Sequence, residues 1–86
     1  MDKIEVLRGK IDVIDEQILQ AIEQRMEICR AIGELKKQQD KPIYDNLREA
    51  KVFRRVKNHA EQLKLDPLQI ERIYREIVNM CSSVQQ

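Results

Sequence analysis

The fold is decided by one stretch of sequence, residues 4–35, which reads IEVLRGKIDVIDEQILQAIEQRMEICRAIGEL and contains no proline. Apolar side chains recur along it at helical spacing and, at about 100° per residue, form one stripe roughly 80° wide. The members of this stripe are Ile4, Leu7, Ile11, Ile14, Ile18, Ile22, Cys29 and Ile32. The pattern predicts a single long helix from about residue 3 to about residue 38.

Two cations lie inside this apolar stripe. Arg25 and Lys36 fall on the same face as the isoleucines, about three helical turns apart. A guanidinium or ammonium group that faces an apolar interior is costly unless an anion neutralises it. That anion is either a carboxylate of the protein or a ligand, and the function of the chain depends on which of the two it is.

Two shorter helices are predicted to follow. Pro42 ends the first helix, because the residue before a proline is displaced from α geometry. A second helix begins near Asp45 or Asn46, where Asn46 and Glu49 resemble a capping box. The dipeptide Asp66-Pro67 predicts the start of a third helix, as N-cap and first helical residue. The predicted core faces are Glu49, Val52, Phe53, Val56, Ala60 and Leu63 in the second helix, and Ile70, Ile73, Ile77, Cys81 and Val84 in the third. We therefore predict an all-α fold in which residues 1–86 form one domain.

The length of the first helix predicts an assembly of two chains. A helix of 36 residues is about 54 Å long, whereas a compact globule of this size is roughly 30 Å across. Apolar residues repeat every seven positions along it, as in a coiled-coil seam. These rows are Ile4, Ile11, Ile18, Arg25 and Ile32, and Leu7, Ile14, Ala21, Ile28 and Leu35. The part of the seam beyond the core needs a partner, so we expect an intertwined, two-fold helical homodimer.

Composition excludes several classes of function. The net charge is +1 with both signs nearly balanced, and only 3% of residues are aromatic, which argues against a nucleic-acid binder. No apolar run approaches the length of a membrane span, and the start of the chain lacks the layout of a signal peptide, so we expect a cytoplasmic protein. Cys29 and Cys81 are interpreted as reduced core thiols and His59 as a solvated residue, so we expect no metal and no cofactor.

Polar residues on the predicted core faces carry the functional hypothesis. Taken singly, each of these residues is better explained by a structural role than by a functional one. A polar seam residue can set the register of a coiled coil, and Arg25 could pair with Glu49. Taken together they leave an excess of positive charge around one internal carboxylate, Glu49. The cations are Arg8, Arg25, Lys36 and Arg48. Such a surplus indicates a small ligand with at least two negative charges. Without a nucleophile or metal ligands, the site suits binding and charge stabilisation, as in the intramolecular rearrangement of a small dianion.

The order and spacing of these residues resemble the all-helical chorismate mutases over nearly the whole chain. The matching stretches are Leu7-Arg8-Gly9-Lys10-Ile11, Ile14-Asp15-Glu16-Gln17-Ile18, Arg25, Ile32-Gly33-Glu34-Leu35-Lys36, Pro42-Ile43-Tyr44-Asp45, Arg48-Glu49 and Gln85. The resemblance implies an intertwined dimer with two equivalent sites. It also implies conversion of chorismate to prephenate, the step that commits carbon to phenylalanine and tyrosine.

The resemblance also implies a role for each site residue. Arg25 would bind a substrate carboxylate, Arg8 would reach in from the other protomer, and Arg48 would complete the cationic wall. Lys36 would contact a carboxylate and the ether oxygen of the breaking bond.

Gln85 would donate a hydrogen bond to the same ether oxygen. Glu49 and the backbone around Asp45 would hold the ring hydroxyl.

Two other functions fit the same residues. A lyase on the same fold, which removes pyruvate from isochorismate, needs similar carboxylate-binding residues and no new catalytic group. A non-catalytic dimerisation or regulatory domain would use Arg25 and Lys36 only to set the register of the helices.

Overall fold

The fold is described from a computed structural model, which covers residues 2–86. It contains three helices, α1 (Lys3–Gln38), α2 (Asn46–Gln62) and α3 (Pro67–Gln85), and residues 2–86 include no strand. The all-α prediction is confirmed, and so are the predicted limits of α1 and the predicted starts of α2 and α3. None of the three is long and apolar enough to cross a membrane.

The N-terminus of α2 is capped by Asp45. A carboxylate oxygen of Asp45 accepts a hydrogen bond from the backbone N–H of Arg48 at 3.0 Å. Asn46 is therefore the first residue inside the helix, and the predicted capping box of Asn46 with Glu49 is wrong. Asp66-Pro67 begins α3 as predicted, with the Asp66 carboxylate bound to two backbone N–H groups of the first turn.

Helix α3 holds the molecule together because it packs against both α1 and α2. Val52 and Val56 of α2 and Val78 of α3 form the centre of the core. Phe53, Ile70 and Tyr74 surround that centre. Helix α1 adds a second buried patch, which consists of Met26, Cys29 and Gly33.

The faces that α1 and α3 bury within the chain differ from the predicted ones. In α1 the inward positions from residue 26 on are Met26, Cys29, Gly33 and Lys36, whereas Ile28, Ile32 and Leu35 stay exposed. In α3 the predicted residues Ile70, Ile77, Cys81 and Val84 are half-buried, but the most buried positions are Val78 and Gln85, and Ile73 is exposed. The isoleucine stripe of α1 is thus mainly an exposed surface. Helix α3 packs against a different face of α1.

The N-terminal half of α1 extends beyond the core. Every residue from 2 to 20 is exposed, and the molecule measures 58 × 24 × 15 Å. The radius of gyration is 16.3 Å, compared with about 12 Å for a compact globule of this length. Within one chain, this half of the helix has no tertiary contact that covers its apolar side chains.

Cys29 and Cys81 form a disulfide, so the prediction of reduced thiols is wrong. The two residues are 52 positions apart in sequence, but α1 and α3 bring their Cα atoms to 5.4 Å. That separation lies in the ordinary range for disulfides. In the loop-entropy account, a cross-link of this span stabilises the fold by about 4 kcal/mol.

Gly33 provides the closest approach between α1 and α3. A Cβ atom at Gly33 would lie 2.8 Å from the Cα of Gln85 and 3.0 Å from its carbonyl oxygen. Gly33 thus allows the close packing of α1 against the last turn of α3. Gly9, in contrast, has no other heavy atom within 4 Å of the position of a Cβ.

These two glycines make a matched pair for a stability test. We expect Gly33→Ala to destabilise the protein by about 1–3 kcal/mol, because the methyl group must push the α3 backbone away. Gly9→Ala should stabilise it by up to about 1 kcal/mol, because alanine is the better helix former and the site is open. Urea unfolding followed by circular dichroism measures both, and equal effects of the two variants would contradict the close packing.

Candidate active site

Lys36 joins three parts of the chain. Its ammonium group donates hydrogen bonds to the side-chain oxygen of Gln85, at 2.8 Å, and to the backbone carbonyl of Ile43, at 2.6 Å. Helix α1, the connection between α1 and α2, and the last turn of α3 therefore meet at one nitrogen. Both acceptors are neutral, so the positive charge of Lys36 is solvated by dipoles and is not cancelled by them.

Gln85 is the one buried polar side chain among residues 2–86. Its Oε1 accepts from Lys36, and its Nε2 donates to the Sγ of Cys81 at 3.2 Å. An ammonium group has three N–H donors and a carboxamide has two. Lys36 and Gln85 thus each retain one N–H that these contacts do not use.

Arg25 is half-buried on α1, close to the disulfide. Burial lowers the pKa of its guanidinium group, Tyr74 acts in the opposite direction, and Arg55 and Arg48 lower the pKa further. Arginine nevertheless stays charged in proteins. Its Nη1 donates to the Sγ of Cys29 at 3.8 Å. Arg25 takes part in none of the ion pairs formed within residues 2–86.

The pairing of Arg25 with Glu49, which the sequence left open, is therefore not formed. Glu49 is half-buried on α2, whereas Arg48 and Asp45 are exposed. The carboxylate of Asp45 is used to cap α2, which leaves its backbone for any contact with a ligand.

Arg8 lies far from the other candidate residues of the same chain. It is exposed and forms an ion pair with Glu5 at 2.9 Å on the surface of α1. Along a helix, the 17 positions that separate it from Arg25 correspond to about 25 Å. One chain therefore brings Lys36 into contact with Gln85 and places Arg48 close enough to Arg25 to lower its pKa, whereas Arg8 lies away from both pairs.

Two clefts open beside these residues. One, of about 580 Å³, lies between α1 and α3, and its lining is apolar except for Arg25, Tyr74 and Glu76. The other, of about 340 Å³, is lined by Lys36, Asp45 and the residues around them. Neither cleft contains both Arg25 and Lys36. The enclosed cationic pocket expected from the sequence is therefore not formed by residues 2–86 of a single chain, because its two cations line separate clefts.

Sequence analysis missed two parts of this site. Arg55 lowers the pKa of Arg25, as Arg48 does. Arg48 and Arg55 lie seven residues apart, on one face of α2. That spacing was a usable signal. The contact between Cys29 and Cys81 had no comparable signal, because it depends on how α1 and α3 pack.

Within residues 2–86, the three-helix chain leaves Arg25 and Lys36 beside the α1–α3 contact without a carboxylate partner. A family model described as chorismate mutase type II matches residues 7–86. The chain therefore belongs to the chorismate mutase type II family.

Curated relatives include proteins named for chorismate mutase. The chain is 32% identical over 88 residues to a bifunctional chorismate mutase/prephenate dehydratase of Aquifex aeolicus, covering 99% of this chain and 24% of the relative. It is 32% identical over 66 residues to a chorismate mutase of Methanocaldococcus jannaschii, covering 77% and 67%. A relative named 3-dehydroquinate dehydratase, from Pyrobaculum aerophilum, is 35% identical over 79 residues, covering 92% and 23%.

A solved structure has the same fold over its whole length. This chain is similar, with a TM-score of 0.82 and 34% identity, to a conserved hypothetical protein from Pyrococcus furiosus, covering 100% of this chain and 99% of that one. The chain spans about a quarter of the length of the first curated relatives that it matches.

Proposed function

We propose that this chain is an isomerase that rearranges chorismate to prephenate, in the biosynthesis of phenylalanine and tyrosine. The observation that carries the proposal is the absence of a carboxylate partner for Arg25 and Lys36 within residues 2–86. Both cations lie near the buried α1–α3 contact, where Lys36 has only neutral partners. A doubly negative substrate supplies the charge that the protein leaves out.

The proposed role of the arginines is to select one conformer of the substrate. Chorismate carries two carboxylates, and its flexible enolpyruvyl arm must fold over the ring before the new bond can form. Arg25 and Arg48, with Arg8 from a second chain, would anchor the carboxylates in that folded arrangement. Holding reacting atoms in place lowers the entropic part of the barrier.

Lys36 and Gln85 would stabilise the charge that develops during the reaction. As the C–O bond of the ether lengthens and the new C–C bond forms, negative charge grows on the ether oxygen. The unused N–H groups of Lys36 and Gln85 are the proposed donors to that oxygen. A millionfold acceleration requires about 8 kcal/mol, which conformer selection and two such donors can supply.

The remaining assignments follow from the same reaction. Glu49 and the backbone of Asp45 would hold the ring hydroxyl. The rearrangement is intramolecular, so it requires no metal and no cofactor. We infer that residues 1–86 act as one domain, and that a biosynthetic reaction of this kind takes place in the cytoplasm.

A second copy of the chain is the proposed partner of α1. Ile4, Leu7, Ile11, Ile14 and Ile18 are each more than half exposed, although they repeat at the spacing of a helical seam. Two α1 helices packed antiparallel about a two-fold axis near Gln17 would cover these residues. The same arrangement carries Arg8 of one chain towards Arg25 of the other.

The first test removes the charge of Lys36. We expect Lys36→Met to lower kcat/KM for chorismate about 10²- to 10³-fold, because it deletes a charged donor to the ether oxygen. The matched control is Lys37→Met, since Lys37 is exposed and its nearest carboxylate, on Glu34, is 3.8 Å away. The loss of chorismate absorbance measures the rate, and circular dichroism checks that both variants are folded.

The products separate the alternatives. Prephenate formed from chorismate supports the proposal, whereas salicylate and pyruvate formed from isochorismate identify the lyase. A folded wild-type chain that converts neither compound identifies a non-catalytic domain.

The second test asks whether Arg8 acts across the dimer. Arg8→Ala and Lys36→Met are each expected to inactivate a homodimer. When the two variants are mixed by unfolding and refolding, half of the dimers are mixed, and each mixed dimer has one intact site. About a quarter of the wild-type activity should therefore return. No recovery, with mixed dimers shown by native mass spectrometry, would place Arg8 outside the partner's site.

The third test concerns the neutral donor of Gln85. In Gln85→Glu, the new carboxyl donates a hydrogen bond only when it is protonated. Lys36 favours the charged form and lowers the pKa of this carboxyl, so activity should be present below that pKa and lost as the pH rises through it. The pH profile of kcat/KM measures this, with Gln86→Glu as the exposed control. A profile parallel to that of the control would remove Gln85 from the mechanism.

A further inference from the structure

The disulfide lies inside the proposed site and not at its edge. Cys29 is buried on α1, Cys81 is half-buried on α3, and each lies one helical turn from a residue of the site. Arg25 donates to the sulfur of Cys29, and Gln85 donates to the sulfur of Cys81. The cross-link thus contacts the proposed carboxylate anchor at one end and the proposed ether-oxygen donor at the other.

The sulfur of a disulfide has no hydrogen, so it can accept a hydrogen bond but cannot donate one. This property matches the orientation of the Gln85 amide, whose oxygen faces Lys36, a group that can only donate, while its nitrogen donates to Cys81. A thiol at Cys81 could donate as well as accept, and it could therefore compete with Lys36 for the amide oxygen. Reduction thus weakens the restraint on the amide nitrogen, while Lys36 still holds the amide oxygen.

The disulfide also restrains the end of α3. Gln85 is the last helical residue and lies one position from the end of the sequence, where helical turns readily fray. Its backbone rests on Gly33, and its side chain is buried. The covalent bond one turn earlier, at Cys81, keeps this last turn against α1.

We propose that the Cys29–Cys81 disulfide is a redox-dependent positioning element, which holds Gln85 and Arg25 in their working geometry only while it is oxidised. In the reduction step, a dithiol gives up two electrons and two protons, and it becomes a disulfide itself. The S–S bond of the protein breaks, and Cys29 and Cys81 become thiols. This inference rests on the proposed mutase function.

The test compares the oxidised and reduced protein at a temperature at which both are fully helical by circular dichroism. Titration of thiols in denaturant establishes the redox state of the protein. An oxidised chain has no free thiol, and a reduced chain has two. We expect reduction by dithiothreitol to lower kcat for chorismate about tenfold, because Gln85 acts mainly in the transition state, and to raise KM as well, because Arg25 binds a carboxylate of the ground state. Reoxidation should restore kcat.

Cys29→Ala serves as the control for effects of the reductant on anything other than this bond. It should show the kcat of the reduced wild type, and dithiothreitol should not change it. A reduced wild type with an unchanged kcat and only a lower melting temperature would show that the disulfide is merely structural, and would overturn the proposal. A response of Cys29→Ala to dithiothreitol would overturn it too.

A second readout does not depend on turnover. Amide hydrogen exchange across residues 82–86 should become faster on reduction, while exchange in the centre of α2 stays the same. Exchange that is unchanged contradicts the positioning role whether or not chorismate is converted. Faster exchange in a chain that converts no chorismate would refute the proposed function alone.

Discussion

The contact of the Lys36 ammonium group with the side chain of Gln85 and the carbonyl of Ile43 is the interaction on which the site depends. It connects α1, the loop after it and the end of α3 through one charged atom. A carboxylate in either position would have neutralised the charge and closed the site to an anion. Neutral oxygens hold the ammonium group in place and leave its charge available, which a buried ion pair does not do.

The length of α1 separates Arg8 from the other candidate residues of the same chain. About half of the helix lies outside the core, and its isoleucines are exposed at seam spacing. A residue at that end, such as Arg8, is about 25 Å from Arg25 along the same helix, so it can serve a site of this kind only in another copy. The cleft beside Arg25 is also largely apolar, and three of its lining residues, Ile18, Ala21 and Ile22, belong to α1.

Sequence patterns predicted the helix limits well, because each limit has a local cause in Pro42, Asp45 or the Asp66-Pro67 pair. They were less reliable for the faces of α1 and α3. Helix α1 carries two apolar surfaces, and a search for a single apolar stripe does not separate them. Of the predicted site residues, Lys36 and Gln85 are in contact and Arg48 lies near Arg25, whereas Arg8 is remote in the same chain. The disulfide was missed, because residues 52 apart meet only through tertiary packing.

The disulfide also bears on where such a protein can work. Disulfides persist in oxidising compartments and in intracellular proteins of hyperthermophiles, whereas other cytosolic thiols are kept reduced. A biosynthetic role in the cytoplasm and a lasting bond between Cys29 and Cys81 are therefore compatible in a hyperthermophile, and elsewhere the bond would have to open and close. In the second case the sulfurs would be reduced beside Arg25 and Gln85, the two side chains that donate to them in the oxidised form. A change in redox state would then alter the hydrogen bonds of Arg25 and Gln85 directly, and it would require no rearrangement of the rest of the fold.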